Sequence, residues 1–119
     1  RVRYYDYTGV KLDRDECARM AAALGDEDIL FLHNHGTLAV GRTIGEAFSF
    51  IVRTERACQI QIAAQSSGAR LKQIEPRWVD EAGAFGRKLY TATSWSPGAE
   101  IEWAAFRRKI ERESPGFAD

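Results

Sequence analysis

The 119-residue chain carries 17 lysines and arginines against 17 aspartates and glutamates, so its formal net charge is zero. This balance gives no electrostatic basis for binding nucleic acid or an anionic membrane. Hydrophobic residues make up 45% of the chain, enough for the core of one domain or part of one. Cys17 and Cys58 are widely spaced and predict reduced thiols in a cytoplasmic protein. No apolar run approaches the roughly 20 residues of a membrane span.

The chain begins directly in a tyrosine-rich segment, residues 3–7, whose composition is typical of a half-buried strand. With the patterns that follow, it predicts the element order β-α-β-β-α-α-α. Such a short sheet cannot bury this much helix, so we expect further strands upstream. The predicted fold class is therefore α/β and N-terminally incomplete, with residues 1–119 forming the C-terminal part of a single domain.

The first helix is predicted to follow Asp13, an N-cap candidate because Glu16 comes three residues later, at capping-box spacing. Ala18, Met20, Ala21, Ala22 and Leu24 supply its apolar and small residues. Gly25 is expected to end the helix at the C′ position, where glycine is favoured.

Two apolar runs then predict a pair of strands. The run over residues 29–32 indicates a strand buried on both faces, and the run over residues 38–40 indicates the strand that returns beside it. The polar segment between them predicts a hairpin turn. Within it, Gly36 is expected to supply a positive φ or a close backbone approach.

A long helix is predicted from the second capping box, Thr43 to Glu46, to about residue 66. Gly68 is its expected stop. An apolar stripe follows the helical period and comprises Ile44, Ala47, Phe48, Ile51, Val52, Cys58, Ile62 and Ala63. A helix of this length is typical of one that spans a domain face or reaches a neighbouring subunit.

Two shorter helices are predicted to complete the chain. Pro76 favours a helix start, because proline is tolerated at the first helical position. The expected apolar face of that helix is formed by Trp78, Ala82, Phe85 and Leu89. Residues 91–98 are predicted as a loop, with Ser96-Pro97 as the cap and first turn of the last helix. Its apolar face comprises Trp103, Phe106 and Ile110.

Both histidines of the chain, His33 and His35, lie in the polar segment between the two predicted strands. A neutral imidazole is a common ligand of zinc and other divalent metals. On an extended chain, residues two apart point to the same side, so both rings could chelate one ion. A complete site needs three or four ligands, for which candidates are Asp6, Asp26, Glu27 and Asp28. The alternative is a turn with solvated histidines, and the order His-Asn-His also invites comparison with the nuclease motif of that name.

Several residues carry a second pattern: Asn34-His35-Gly36, then Val40-Gly41, Thr43, Glu46-Ala47 and Glu55. This pattern resembles the C-terminal half of class II aldolase/adducin domains. The run from Glu55 to Gln61 also fits, and the tail from Glu102-Trp103 to Pro115-Gly116-Phe117 resembles the closing helix of the family. The resemblance covers nearly the whole chain, and the block over residues 29–61 is its most specific part.

The resemblance implies a three-layer α/β/α fold with a mostly antiparallel central sheet, and homo-oligomers, often tetramers, with sites at subunit interfaces. It implies a divalent metal ion, with zinc as the expected metal, that is bound by three histidines. The third of these matches His35, whereas the other two belong to an upstream His-x-His. No ligand role is carried over to His33. The general base is also upstream, so either the rest of the site lies outside these 119 residues or the site is absent.

Two hypotheses follow from the resemblance. The first is a metal-dependent lyase that cleaves a carbon–carbon bond in a small, sugar-like hydroxylated carbonyl compound, with epimerase and decarboxylase as related reactions. The second is a non-catalytic, adducin-like assembly domain. Neither requires nucleic acid or a membrane.

The remaining polar candidates favour structural interpretations. Glu46 is interpreted as a helix cap, Glu55 as a structural residue, and Cys58 as a small core residue. Tyr90 and Trp95 lie in a region that could reach an adjacent subunit's site. The run Arg107-Arg108-Lys109 is interpreted as a solvated helix face.

Overall fold

The computed structural model describes residues 2–6, 9, 14–89, 91, 93 and 99–117. In chain order the elements are β1 (Val2–Tyr5), α1 (Arg14–Leu24), β2 (Ile29–Leu32), β3 (Gly36–Ala39), α2 (Ile44–Ser66), α3 (Pro76–Leu89) and α4 (Glu100–Glu113). The predicted order of strands and helices is therefore confirmed. Asp13, Tyr90, Trp95, Ser96 and Pro97 lie outside the described residues, so the interpretations placed on them stay predictions.

The described strands form one sheet in the order β1-β2-β3. β1 pairs with β2 in parallel, with Val2 opposite Ile29, while β2 pairs with β3 in antiparallel fashion, with Ile29 opposite Ala39. The parallel pair follows from the α1 crossover between its strands, and the antiparallel pair follows from a short turn. This part of the sheet is therefore mixed rather than mostly antiparallel, and the three-layer arrangement stays a prediction.

The central strand β2 holds the most buried side chain of the sheet. Leu30 is fully buried, whereas Ile29, Phe31 and Leu32 are only partly buried. The expectation of a strand buried on both faces was therefore wrong for most of β2. Leu24 at the end of α1 is also buried.

Helix α1 is attached to the sheet through a buried carboxylate. Glu16 is 6% exposed and accepts a hydrogen bond of 2.9 Å from the Tyr5 hydroxyl at the end of β1. Arg19, one turn further on, also donates to Glu16. Gly25 ends the helix with φ of +59°, and its N–H donates to the Ala21 carbonyl at 3.0 Å, which confirms the predicted stop.

Helix α2 begins and ends where the sequence predicts. Thr43 accepts the Glu46 N–H at 3.1 Å, and Gly68, with φ of +69°, follows the last turn. Its buried residues, however, are Gly45, Glu46 and Ser49. The predicted apolar stripe is largely exposed. Periodicity identifies which residues share a face and does not determine what covers that face.

Helix α4 packs against the start of α2 at a glycine. A Cβ on Gly45 would lie 2.8 Å from Cγ of Trp103, so only glycine permits this approach. Phe48 extends the contact, with its ring centroid 5.3 Å from those of Trp103 and Phe106. The predicted apolar face of α4 is thus partly confirmed as a packing surface.

Helix α3 begins at Pro76, as predicted, but its apolar face is exposed. None of its residues is buried, and Trp78 and Phe85 are 50% and 61% exposed. No helix among the described residues is long and apolar enough to cross a membrane.

Candidate functional site

The His33–His35 segment forms a tight turn at the tip of the β2–β3 hairpin. Leu32 pairs with Gly36, and the His35 N–H donates to the Leu32 carbonyl at 3.0 Å. Asn34 adopts the left-handed conformation, with φ of 57°. Asparagine tolerates this conformation better than most side chains. The expectation for Gly36 was wrong, because Gly36 has no positive φ and a Cβ there would meet nothing within 4 Å.

His33 is tied to the end of β1. Its Nδ1 lies 2.8 Å from Oδ1 of Asp6, and its ring stacks on Tyr4 with centroids 5.4 Å apart. Tyr4 stacks in turn on Phe31 at 5.6 Å. The backbone N–H of His33 donates to the Tyr5 carbonyl at 2.9 Å, so both backbone and side chain fix this residue to β1.

His35 lies two residues further along the same turn and is exposed. The chain is not extended here, so the argument that both rings point to one side of a strand does not apply. Of the proposed helper carboxylates, only Asp6 reaches the turn, and it contacts His33.

Asp26, Glu27 and Asp28 lie at the opposite end of the hairpin, where the Val40 N–H donates to the Asp28 carbonyl at 2.9 Å. Asp28 and His33 are about 16 Å apart along β2 at the ordinary rise of a strand. Within the described part of the chain, no group of three or more His, Cys, Asp or Glu side chains could hold a metal ion. These residues therefore do not make a complete metal centre, and the ligand role of His35 stays a prediction.

Glu46 anchors the segment that leads from β3 into α2. Glu46 is 4% exposed. Its carboxylate accepts hydrogen bonds from the Arg42 backbone N–H at 2.6 Å and from the Arg42 guanidinium at 2.8 Å. The hydrogen bond from the Arg42 side chain lowers the pKa of Glu46. A Cβ on Gly41 would lie 2.7 Å from the Ala47 nitrogen, so this turn also requires glycine. The interpretation of Glu46 as a helix-capping residue is confirmed. Its carboxylate accepts from the backbone N–H of Arg42, the residue before Thr43, and not from that of Thr43 itself as in a capping box.

A cavity of about 700 Å³ lies beside Glu46, at the end of the hairpin remote from the histidines. The start of β2, the turn before α2 and one face of α3 line it. Burial, followed by the charge of Glu46, raises the pKa of Asp28 at its edge. Gly83, Gly86 and Arg87 supply the α3 wall. Sequence reasoning missed this cavity, because its walls come from separate segments of the chain, and its α3 wall lies more than 50 residues from residues 26–28.

The other candidates fit structural interpretations. Glu55 accepts a hydrogen bond of 3.1 Å from Gln59 one helical turn later, and Cys58 is partly buried. Arg107 and Lys109 lie within 3.6 Å and 3.9 Å of Glu111 and Glu113, as expected for an exposed helix face.

The sequence pattern of the Class II Aldolase and Adducin N-terminal domain matches residues 1–62, slightly more than half of the chain. The chain therefore belongs to the class II aldolase and adducin family. Among its relatives is a protein of Pseudomonas aeruginosa whose name places it in aldolase class 2. The two are 37% identical over 117 residues, which cover 96% of this chain and 44% of the relative.

Human gamma-adducin is 29% identical over 121 residues, which cover 92% of this chain and 17% of that protein. A crystal structure of an aldolase II superfamily protein from Pseudomonas syringae superposes with a TM-score of 0.76 at 37% sequence identity. The superposition covers all of this chain and 46% of that one. Thus α3 and α4, beyond the matched family pattern, also have counterparts in relatives. The chain spans less than half the length of these relatives.

Proposed function

We propose that the full-length protein is a metal-dependent lyase that cleaves a carbon–carbon bond in a small, sugar-like hydroxylated carbonyl compound. The proposal rests on family membership together with one feature of this chain. That feature is the Asn34-His35-Gly36 turn, which carries His35 at the exposed tip of the β2–β3 hairpin. Epimerisation and decarboxylation are related alternatives for the reaction, since a shared fold does not fix the chemistry.

In this proposal His35 supplies one imidazole ligand to a divalent ion, zinc in type. The described residues bring together no set of three ligands, and the proposal assigns the remaining ligands and the general base to other parts of the full-length protein. A bound ion of this kind acts as a Lewis acid that polarises a substrate carbonyl. The contribution of this chain is positional. Its hairpin holds the turn beside β1, where backbone and side-chain contacts of His33 fix it.

Metal analysis of the full-length protein tests this proposal. We expect about one zinc-type ion per chain, and its loss in the variant His35→Ala. Thr37→Ala, at an exposed position in β3 that is assigned no ligand role, is the control. Unchanged metal content in His35→Ala would refute the ligand role. Assays for carbonyl products from small hydroxylated aldehydes and ketones, with and without chelator, test the reaction.

A second candidate is a non-catalytic, adducin-like assembly domain. It is favoured by the similarity to gamma-adducin, which covers 92% of this chain. It predicts that the full-length protein binds no metal and co-purifies with an actin- or spectrin-like partner. We also propose that the protein is a homo-oligomer under either function. The same metal analysis separates the two candidates.

A further inference from the structure

The position of His35 depends on how the turn that carries it, residues 33–35, is held. The His35 N–H donates to the Leu32 carbonyl at 3.0 Å, and Asn34 between them is left-handed, with φ of 57°. A left-handed residue other than glycine costs free energy, so it persists where surrounding contacts hold it in place. For this turn, such contacts come from β1.

The register between β1 and β2 continues into the turn. The last paired residues of the two strands are Tyr5 and Leu32. One residue further, the His33 N–H donates to the Tyr5 carbonyl at 2.9 Å, and His33 Nδ1 lies 2.8 Å from Oδ1 of Asp6. The side chains of Asp6 and His33 therefore extend the pairing of the strands by one more step.

The His33 ring is held on a second side as well. Tyr4 stacks on it, with ring centroids 5.4 Å apart and ring planes 29° apart. An ionised carboxylate only accepts hydrogen bonds, so Nδ1 of His33 donates to Asp6. One contact at the edge of the ring and one on its face thus fix the orientation of His33, two residues before His35.

We propose that Asp6 and His33 are positioning residues, which hold the His35 imidazole where it binds a divalent ion. This inference rests on the proposed function, because it requires His35 to be a ligand. His35 is exposed, and an exposed imidazole is a donor that zinc-type ions accept. A ligand must be held within about 0.5 Å of its productive position, so an ordered turn raises the affinity for the ion.

The exposure of the two side chains favours local ordering over a role in global stability. The Asp6 side chain is 93% exposed and that of His33 is 51% exposed, so water screens their contact. Ordering one turn involves a much smaller free energy than unfolding the protein, and a weak contact therefore matters more there. From the usual strength of such contacts, its loss should weaken ion binding by about three- to five-fold.

Titration of the full-length protein with Co²⁺ tests the proposal, because the visible absorption of the bound ion reports both affinity and ligand geometry. We expect His33→Phe to weaken binding by about three- to five-fold and to shift the absorption, since phenylalanine keeps the stack on Tyr4 and loses the contact with Asp6. Asp6→Ala should do the same. The double variant should bind no more weakly than either single variant, because both remove one shared contact.

The conservative variant Asp6→Asn separates positioning from simple charge attraction. An amide oxygen still accepts from Nδ1 of His33, so Asp6→Asn should bind Co²⁺ almost as well as the wild type. If Asp6 acted only through its negative charge, Asp6→Asn would be as weak as Asp6→Ala and His33→Phe would bind normally, which would overturn the proposal. The control is Asp26→Ala, which removes an exposed carboxylate at the opposite end of the hairpin and should leave affinity and absorption unchanged.

Failure of the proposed function gives a different result. A wild-type protein that binds no Co²⁺, or unchanged binding in His35→Ala, would overturn the proposed function and this inference together. Loss of binding in His35→Ala, with full affinity in His33→Phe and Asp6→Ala, would overturn the positioning role alone. If His33→Phe does not fold, the comparison of Asp6→Ala with Asp6→Asn decides the question.

Discussion

Asp6 and His33, 27 residues apart in sequence, meet at 2.8 Å where β1 ends beside the β2–β3 turn. The contact joins a carboxylate after one strand to an imidazole after its parallel neighbour. Tyr4 stacks on the same imidazole. The turn that carries His35 is therefore attached to β1 by two side-chain contacts and one backbone hydrogen bond.

The Asp6–His33 contact should contribute little to global stability. The Asp6 side chain is 93% exposed and that of His33 is 51% exposed. Solvent therefore screens their attraction, and exposed pairs are worth about 0.2–1 kcal/mol. We expect Asp6→Asn to lower the free energy of unfolding by no more than about 1 kcal/mol. Urea unfolding of the full-length protein measures this, and a loss well above that range would mean that the contact is effectively buried.

Leu30 should be far more sensitive. It is fully buried at the centre of the three-stranded sheet. Leu30→Ala removes a buried side chain and leaves a cavity, so we expect it to cost about 2–5 kcal/mol of unfolding free energy. Val40→Ala, at a position 39% exposed, is the control and should cost about 1 kcal/mol or less. Similar losses for the two variants would contradict the placement of Leu30 in the core.

Local signals in the sequence predicted the elements well. Gly25 and Gly68 mark helix ends through positive φ, and Pro76 begins α3, because these residues restrict the backbone in specific ways. The hairpin was also predicted, but its left-handed residue is Asn34 rather than Gly36. Both residue types favour turns, so sequence alone did not decide between neighbouring positions.

Relationships between distant segments were not predictable in this way. The cavity beside Glu46 joins residues 26–28 to the glycine side of α3, and no local pattern encodes that approach. The exposure of the apolar face of α3 was not predictable for the same reason. Helical spacing placed Trp78 and Phe85 together correctly, yet burial depends on what packs against them.

Two helix glycines should respond to alanine with opposite signs. A Cβ on Gly45 would lie 2.8 Å from Trp103, so Gly45→Ala should separate α2 from α4 and cost about 1–3 kcal/mol. A Cβ on Gly86 in α3 would meet nothing within 4 Å. Gly86→Ala should therefore stabilise the protein by up to about 1 kcal/mol through higher helix propensity. Thermal and urea unfolding of both variants provide the comparison, and a gain in stability for Gly45→Ala would refute the close packing on Trp103.

Glu46 should make stability depend on pH in the acid range. The hydrogen bond from Arg42 lowers its pKa in the folded protein, so the unfolded chain binds a proton more readily. Its stabilising contribution is present above the unfolded pKa of about 4.3 and is lost as the pH falls through the lower folded pKa. We expect Glu46→Gln to cost about 1–3 kcal/mol at neutral pH and to flatten the loss of stability below about pH 5. Urea unfolding at a series of pH values measures both effects.

Asp28 provides the control for that experiment, because burial raises its pKa at the same cavity. In the folded protein it binds a proton more readily than in the unfolded chain, so acidification through its folded pKa adds stability. Asp28→Asn removes this contribution, so the free energy of unfolding should fall more steeply as the pH is lowered. Glu46→Gln should have the opposite effect and make that fall shallower. Asp28→Asn also removes a charge that is partly desolvated and close to the Glu46 carboxylate, so it should not lower stability at neutral pH. If both variants flatten the profile, the two carboxylates do not occupy the opposing environments that the structure gives them.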